Sequence, residues 1–179
     1  MQLSGSRITR VCAQDITLPY AEFDELLGVP RMLLLDNVED PHNVGAILPS
    51  AEVFGFSSVC LPKKGVPEVY PSVVKVSAGA TEFMKICRSD SANGYARKAA
   101  ESGYRIVALD RAGKTSLEEV AAVRPDKLLL VIGGEDRSVG QFILNMADDV
   151  VGITQRGRVN SLNASVAAGI AMFSLGQAE

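Results

Sequence analysis

Three stretches of this 179-residue sequence gather small, amide and acidic residues: "DNVEDPHNVGA" (36–46), "GGEDRSVG" (133–140) and "ITQRGRVNSLNAS" (153–165). Each follows an apolar run read as a strand, and open parallel sheets place their ligands at the carboxyl ends of strands. Taken singly, a loop rich in Gly, Asn, Asp and Pro is an ordinary connection. The third, however, is long and polar and runs into a small-residue apolar helix, "NASVAAGIAMFSL". A cofactor pocket is the economical reading of the three together.

Several other chemistries are disfavoured. "GGEDRSVG" lacks G-x-G-x-x-G spacing and follows the fifth strand instead of opening a first βαβ unit, which argues against a nicotinamide site. The sequence has no P-loop and no G-x-S-x-G elbow, so hydrolysis by an elbow serine is not expected. His42 is the single histidine and, beside Pro41, reads as a loop residue. Cys12, Cys60 and Cys87 are widely spaced and read as reduced core thiols of a cytoplasmic protein. No metal site is expected.

The elements that must position these loops form an alternating series. "RMLLLD" (31–36), "SSVCLP" (57–62), "EFMKIC" (82–87), "YRIVALD" (104–110), "KLLLVIGG" (127–134) and "DDVVGI" (148–153) are continuous apolar runs, as strands buried on both faces require. Helices are predicted over 43–55, 71–77, 91–102, 116–122, 138–146 and 161–174. The fold class is therefore α/β, a mostly parallel sheet flanked by helices. Residues 1–29 stand outside the sheet pattern and are expected to form an N-terminal arm with a short helix, "YAEFDELLG".

The composition, 47% hydrophobic and 22% charged, suits a chain with a sizeable core. A net charge of -3 supplies no global attraction to polyanions, so any RNA contact needs a local basic patch. The first residues lack the apolar run of a signal peptide, and no segment is apolar for long enough to span a membrane.

One local puzzle stands in "NVGAILPSAEVFGF" (43–56), where Val44, Ile47, Ala51 and Phe54 fall at helical intervals and Asn43 is a candidate N-cap. Pro49 lies within that span. Either the helix starts late, with Pro49 in its first turn, or it starts at Asn43 and is kinked.

Over roughly residues 31 to 175 the sequence resembles the SpoU (TrmH) family of RNA ribose 2'-O-methyltransferases, of the SPOUT class. The family's three motifs stand here as "DPHNVGAILPSAEVFGF", "LLLVIGGEDRSVG" and "ITQRGRVNSLNASVAAGI", in that order, and "VVKVSAGATEF" (73–83) resembles the branch acting on 23S rRNA. The resemblance implies a C-terminal trefoil knot, which periodicity alone could not show because knots are very rare. It implies a methyltransferase domain over 30–179, a homodimer, S-adenosyl-L-methionine as cofactor, and RNA as substrate, rRNA before tRNA, with no metal and no membrane partner. Gly133, Ile153 and Leu162 match the family's cofactor contacts, and Asn43, Glu135, Ser161 and Asn163 its polar catalytic positions.

The resemblance also implies an arginine in the first motif's helix that helps deprotonate the ribose 2'-hydroxyl. The matching position holds Pro49, whose side chain can neither hydrogen-bond nor carry charge. Two outcomes are open: a working 2'-O-methyltransferase, or a catalytically weakened SPOUT-fold protein that binds cofactor or RNA. Arg137, Arg156 and Arg158 are candidates to contact RNA phosphates or to substitute for the missing group. Thr154 and Gln155 also depart from the family, at positions where main-chain contacts make the change tolerable.

Overall fold

The computed structural model describes residues 20–69, 83–157 and 162–176. The predicted helix at 71–77, the "VVKVSAGATEF" segment up to Glu82, Cys12, Arg158 and Ser161 lie outside the described residues. Among the described residues the elements run α1 (Phe23–Leu26), β1 (Arg31–Asp36), α2 (Pro41–Val53), β2 (Ser58–Cys60), β3 (Lys85–Cys87), α3 (Ala92–Glu101), β4 (Arg105–Leu109), α4 (Leu117–Val123), β5 (Leu128–Gly133), α5 (Gln141–Met146), β6 (Asp149–Val151) and α6 (Ala164–Gly176). The strands form one sheet in the order β3-β2-β1-β5-β4-β6, and every pairing is parallel.

Alternation along the strands divides the core in two. Leu33 and Leu35 of β1, with Leu130 and Ile132 of β5, pack on one face under α2, α4 and α6. Met32, Leu34, Leu129 and Val131 point to the other, under α1, α3 and α5. Because both faces are covered, β1 is buried along its whole length, which accounts for its unbroken apolar run. Cys60 and Cys87 are free and buried, as expected of core thiols.

β1 and β5 are neighbours, yet the helix after β1 crosses one face and the helix after β5 crosses the other. Their carboxyl ends therefore flank a crevice at a topological switch point. α6 returns over the same end of the sheet and is tied down at its far end by the buried Arg31, which donates to the carbonyls of Leu175 (3.1 Å) and Pro125 (3.0 Å).

The first turn of α2 corrects the sequence reading. Asp40, not Asn43, is the N-cap: its side chain accepts from the His42 N–H at 2.9 Å, and Pro41 takes the first helical position, where its missing donor costs nothing. Pro49 lies inside the helix. The Gly45 carbonyl, four residues back, thus has no helical donor. Regular bonding resumes beyond it, with the Phe54 N–H donating to the Ser50 carbonyl at 3.0 Å. Packing of Val44, Ile47, Leu48 and Ala51 into the core holds the helix through the break.

Among the described residues no helix is long and apolar enough to cross a membrane.

Candidate active site

The floor of the crevice is main chain. Asp36 and Gly133 are register partners at the ends of β1 and β5, and the Gly134 N–H donates to the Asp36 carbonyl at 3.1 Å. A Cβ on Gly134 would overlap the Asn37 carbonyl oxygen, and one on Gly133 would lie 2.5 Å from the Val139 nitrogen. Glycine is needed at both positions because backbone meets backbone there. Asn37 adopts the left-handed conformation (φ 58°), and its side-chain amide donates to the Ser138 carbonyl. The buried Asp36 carboxylate accepts from the Gly140 N–H at 2.8 Å. Burial pushes its pKa above the usual carboxylate value, and the Gly140 bond opposes that rise.

The mouth is built from side chains on two helix N-termini. Asn163 caps α6: its Oδ1 accepts from the N–H groups of Ser165 (2.9 Å) and Val166 (3.4 Å). Its Nδ2 donates to Asn43 Oδ1 at 2.9 Å and to Glu135 Oε1 at 2.5 Å. Glu135 Oε1 also accepts from Asn43 Nδ2 and from the Ala164 N–H, both at 3.3 Å. One carboxylate oxygen thus gathers three donors beside the positive ends of α2 and α6. Oε2 has no donor among the described residues.

Sequence reasoning named Asn43, Glu135 and Asn163, and the fold brings these three into one network. Ser161, the fourth, lies outside the described residues. Gly133, Ile153 and Leu162 line one cleft with Leu109, Ile132 and Ala167, a space of about 680 Å3 counting the part open to solvent. The apolar walls and exposed main-chain edge suit a flat, partly polar ligand.

Three contributors escaped the sequence reading. Leu109, Asp110 and Arg111 follow β4 and line the cleft. Asp110 accepts from the Ala112 N–H at 2.7 Å and from the Ser138 hydroxyl, tying the β4 loop to the β5 loop. The available signal was the aspartate closing "YRIVALD", whose place beside β5 depends on strand order. Arg137 lies 4.0 Å from Glu39 on the surface, and Arg156 is exposed. Among the described residues no three acidic, histidine or cysteine side chains converge as a metal site would require.

Residues 30–173 match the SpoU rRNA Methylase family. An Archaeoglobus fulgidus protein named as an uncharacterized tRNA/rRNA methyltransferase is 39% identical over 171 residues, covering 93% of this chain and 75% of that protein. The structure of a TrmH-family protein from Porphyromonas gingivalis superposes with a TM-score of 0.74 at 29% identity, over 82% of this chain and 59% of that one. The SpoU methyltransferase AviRb from Streptomyces viridochromogenes, solved in complex with the cofactor AdoMet, shares the fold, with a TM-score of 0.77 at 24% identity over 89% of this chain and 62% of that one.

Proposed function

Since this chain belongs to the SpoU rRNA Methylase family, we propose that it is an S-adenosylmethionine-dependent methyltransferase that modifies a ribose 2'-hydroxyl of RNA, rRNA before tRNA. The single observation that carries this reading is the Asn43–Glu135–Asn163 network standing at the mouth of a cleft whose floor is Gly133–Gly134. The cofactor fits that cleft: Gly133 and Gly134 line it with main chain alone, and Leu109, Ile153 and Leu162 offer apolar walls. When bound it supplies a methyl group already activated on a sulfonium.

The protein then has two tasks, alignment and help with the hydroxyl proton. Gly133, Ile153 and Leu162 hold the cofactor. Asn43 and Asn163 fix the Glu135 carboxylate through Oε1, and Oε2 accepts the hydrogen bond of the incoming 2'-hydroxyl. A C-terminal trefoil knot is part of this reading. Residues 30–179 form the methyltransferase domain and 1–29 an arm, in a cytoplasmic protein without a metal.

A homodimer is part of the proposal. α6 carries no charged residue, and Leu162, Val166, Ile170 and Phe173 leave an exposed apolar line along it, beginning at the cleft. Such a line suits burial against a second copy. Sedimentation at micromolar concentration checks it, with a dimer expected and a monomer counting against it.

Pro49 favours a second reading, a weakened enzyme that binds cofactor and RNA, because the structure keeps the proline inside α2 with no basic group in its place. Labelled methyl transfer to total RNA, followed by nucleoside analysis, separates the two. Formation of 2'-O-methylnucleosides supports the first; cofactor binding without incorporation supports the second.

A further inference from the structure

The β4–α4 loop and the chain leaving β6 enclose a second recess, about 690 Å3 counting the part open to solvent, lined by Arg111, Lys114, Thr115, Ser116, Thr154 and Gln155. It shares Arg111, Ile153 and Gln155 with the cofactor cleft, so the two spaces adjoin. Its walls are fixed by main chain. The Gly152 N–H donates to the Thr115 carbonyl at 3.1 Å and the Gly113 N–H to the Asp110 carbonyl at 3.0 Å. A Cβ on Gly152 would lie 2.6 Å from the Gly113 carbonyl oxygen, so these two loops meet as closely as backbone allows.

The charge of the recess is one-sided. Among the described residues its lining includes an arginine and a lysine and no carboxylate. The neighbouring Asp110 is engaged with Ala112 and Ser138, and Glu119 is engaged in the capping box of α4 with Ser116. Unlike Lys114, several described cations are committed to the fold: Arg31 and Arg88 to main-chain carbonyls, Lys98 to Asp90, Arg105 to Asp149. Lys114 is exposed and forms no ion pair among the described residues. In a chain of net charge -3, an RNA partner needs local positive charge, and here it borders the cleft.

We infer that this recess is an anion site that receives a backbone phosphate of the RNA next to the nucleotide under modification. This rests on the RNA methyltransferase reading above. Lysine and arginine supply charge, and the hydroxyls of Thr115 and Thr154 supply neutral donors of a reach suited to phosphate oxygens. The cofactor's own carboxylate has the same chemistry and could enter through the shared wall, so the test must tell the two apart.

The test measures a fluorescein-labelled single-stranded RNA oligonucleotide by anisotropy across a KCl series, and S-adenosylhomocysteine by calorimetry. Lys114→Gln should weaken RNA binding several-fold at low salt and flatten the dependence of log affinity on log salt by about 0.7, one phosphate on a single strand. Lys114→Arg should restore both, and S-adenosylhomocysteine affinity should not change in either variant. Wild-type RNA binding with an unaltered Lys114→Gln curve would overturn this inference while leaving the function standing. A fall in S-adenosylhomocysteine affinity with RNA binding intact would also overturn it, giving the recess to the cofactor carboxylate. Absence of any RNA binding by the wild-type chain would overturn both the inference and the reading beneath it.

Discussion

The floor and the mouth of the cleft are held by different means. At the floor, Gly133 and Gly134 meet the backbone at Asn37, Ser138 and Val139 so closely that no other residue fits. At the mouth, Asn43, Glu135 and Asn163 are joined to one another by side-chain bonds, and Pro49 stands inside α2 at the position where the resemblance implies an arginine. In the proposed reading, the contrast makes cofactor retention and proton removal separable. A protein can keep a backbone-defined floor intact while the chemistry at its mouth drifts, because one side chain can be exchanged without moving the main chain.

The largest effect should come from breaking the floor. Gly134→Val places a branched side chain against fixed main chain; overpacking of this kind costs about 3 kcal/mol at the upper end of its usual range. S-adenosylhomocysteine binding by calorimetry should become undetectable, with a lower unfolding midpoint. The control is Gly169→Ala within α6, where a Cβ would meet nothing within 4 Å. It should keep binding and gain about 0.5–1 kcal/mol of stability. Equal binding in both variants would show that the floor does not hold the cofactor.

Restoring the mouth is next in size. If an arginine at position 49 assists deprotonation, Pro49→Arg should raise labelled methyl transfer by about 100-fold, as a positioned proton-transfer group does. Since Pro49 lies inside α2, the substitution returns a donor to the Gly45 carbonyl and should raise the melting temperature, by up to about 3 kcal/mol of unfolding free energy. A stability gain without a rate gain would assign proton removal to another group. Arg137 and Arg156 would then be the residues to replace.

Asn163→Ala should act more modestly. Loss of the α6 cap costs about 1 kcal/mol. Glu135 loses one of three donors, which by the usual worth of a charge-assisted bond lowers kcat about tenfold with little change in cofactor KM. A fall in cofactor affinity alone would move Asn163 from the mouth to the floor.

These two regions were not equally legible. The six strands could be read because covered parallel strands are continuously apolar, although the runs overreached: among the described residues of "EFMKIC" only Lys85–Cys87 are strand. The loop after β5 was legible because a Gly-Gly pair at the end of a strand is visible in a short window, but Gly133 as a cofactor position came only with the family resemblance. The network at the mouth needed the family resemblance, since Asn43 and Glu135 are 92 residues apart and Asn43 and Asn163 are 120 apart. Read locally, Asn43 looked like a cap, and the stronger signal, Asp40 before Pro41, was passed over. Asp110 and its tie to Ser138 were missed for the same reason: the aspartate is an ordinary loop residue until strand order sets β4 beside β5.

The smallest prediction tests whether the floor carries an electrostatic cost. Asp36 is 7% exposed, and burial raises its pKa despite the bond from Gly140. The folded chain therefore holds this proton more tightly than the unfolded chain does. The stability it contributes is fully present below the unfolded pKa of about 3.9 and is lost as pH rises through the higher folded value. Asparagine cannot ionise but keeps an acceptor for the Gly140 N–H. Asp36→Asn should therefore gain melting temperature over the wild type at neutral pH, and that gain should close as pH falls towards the unfolded value. If the difference between the two proteins is instead constant with pH, the carboxylate is solvated well enough to charge freely. Asp36 would then hold the β5 loop through its hydrogen bond alone, and the floor would owe its shape to glycine packing without an electrostatic penalty.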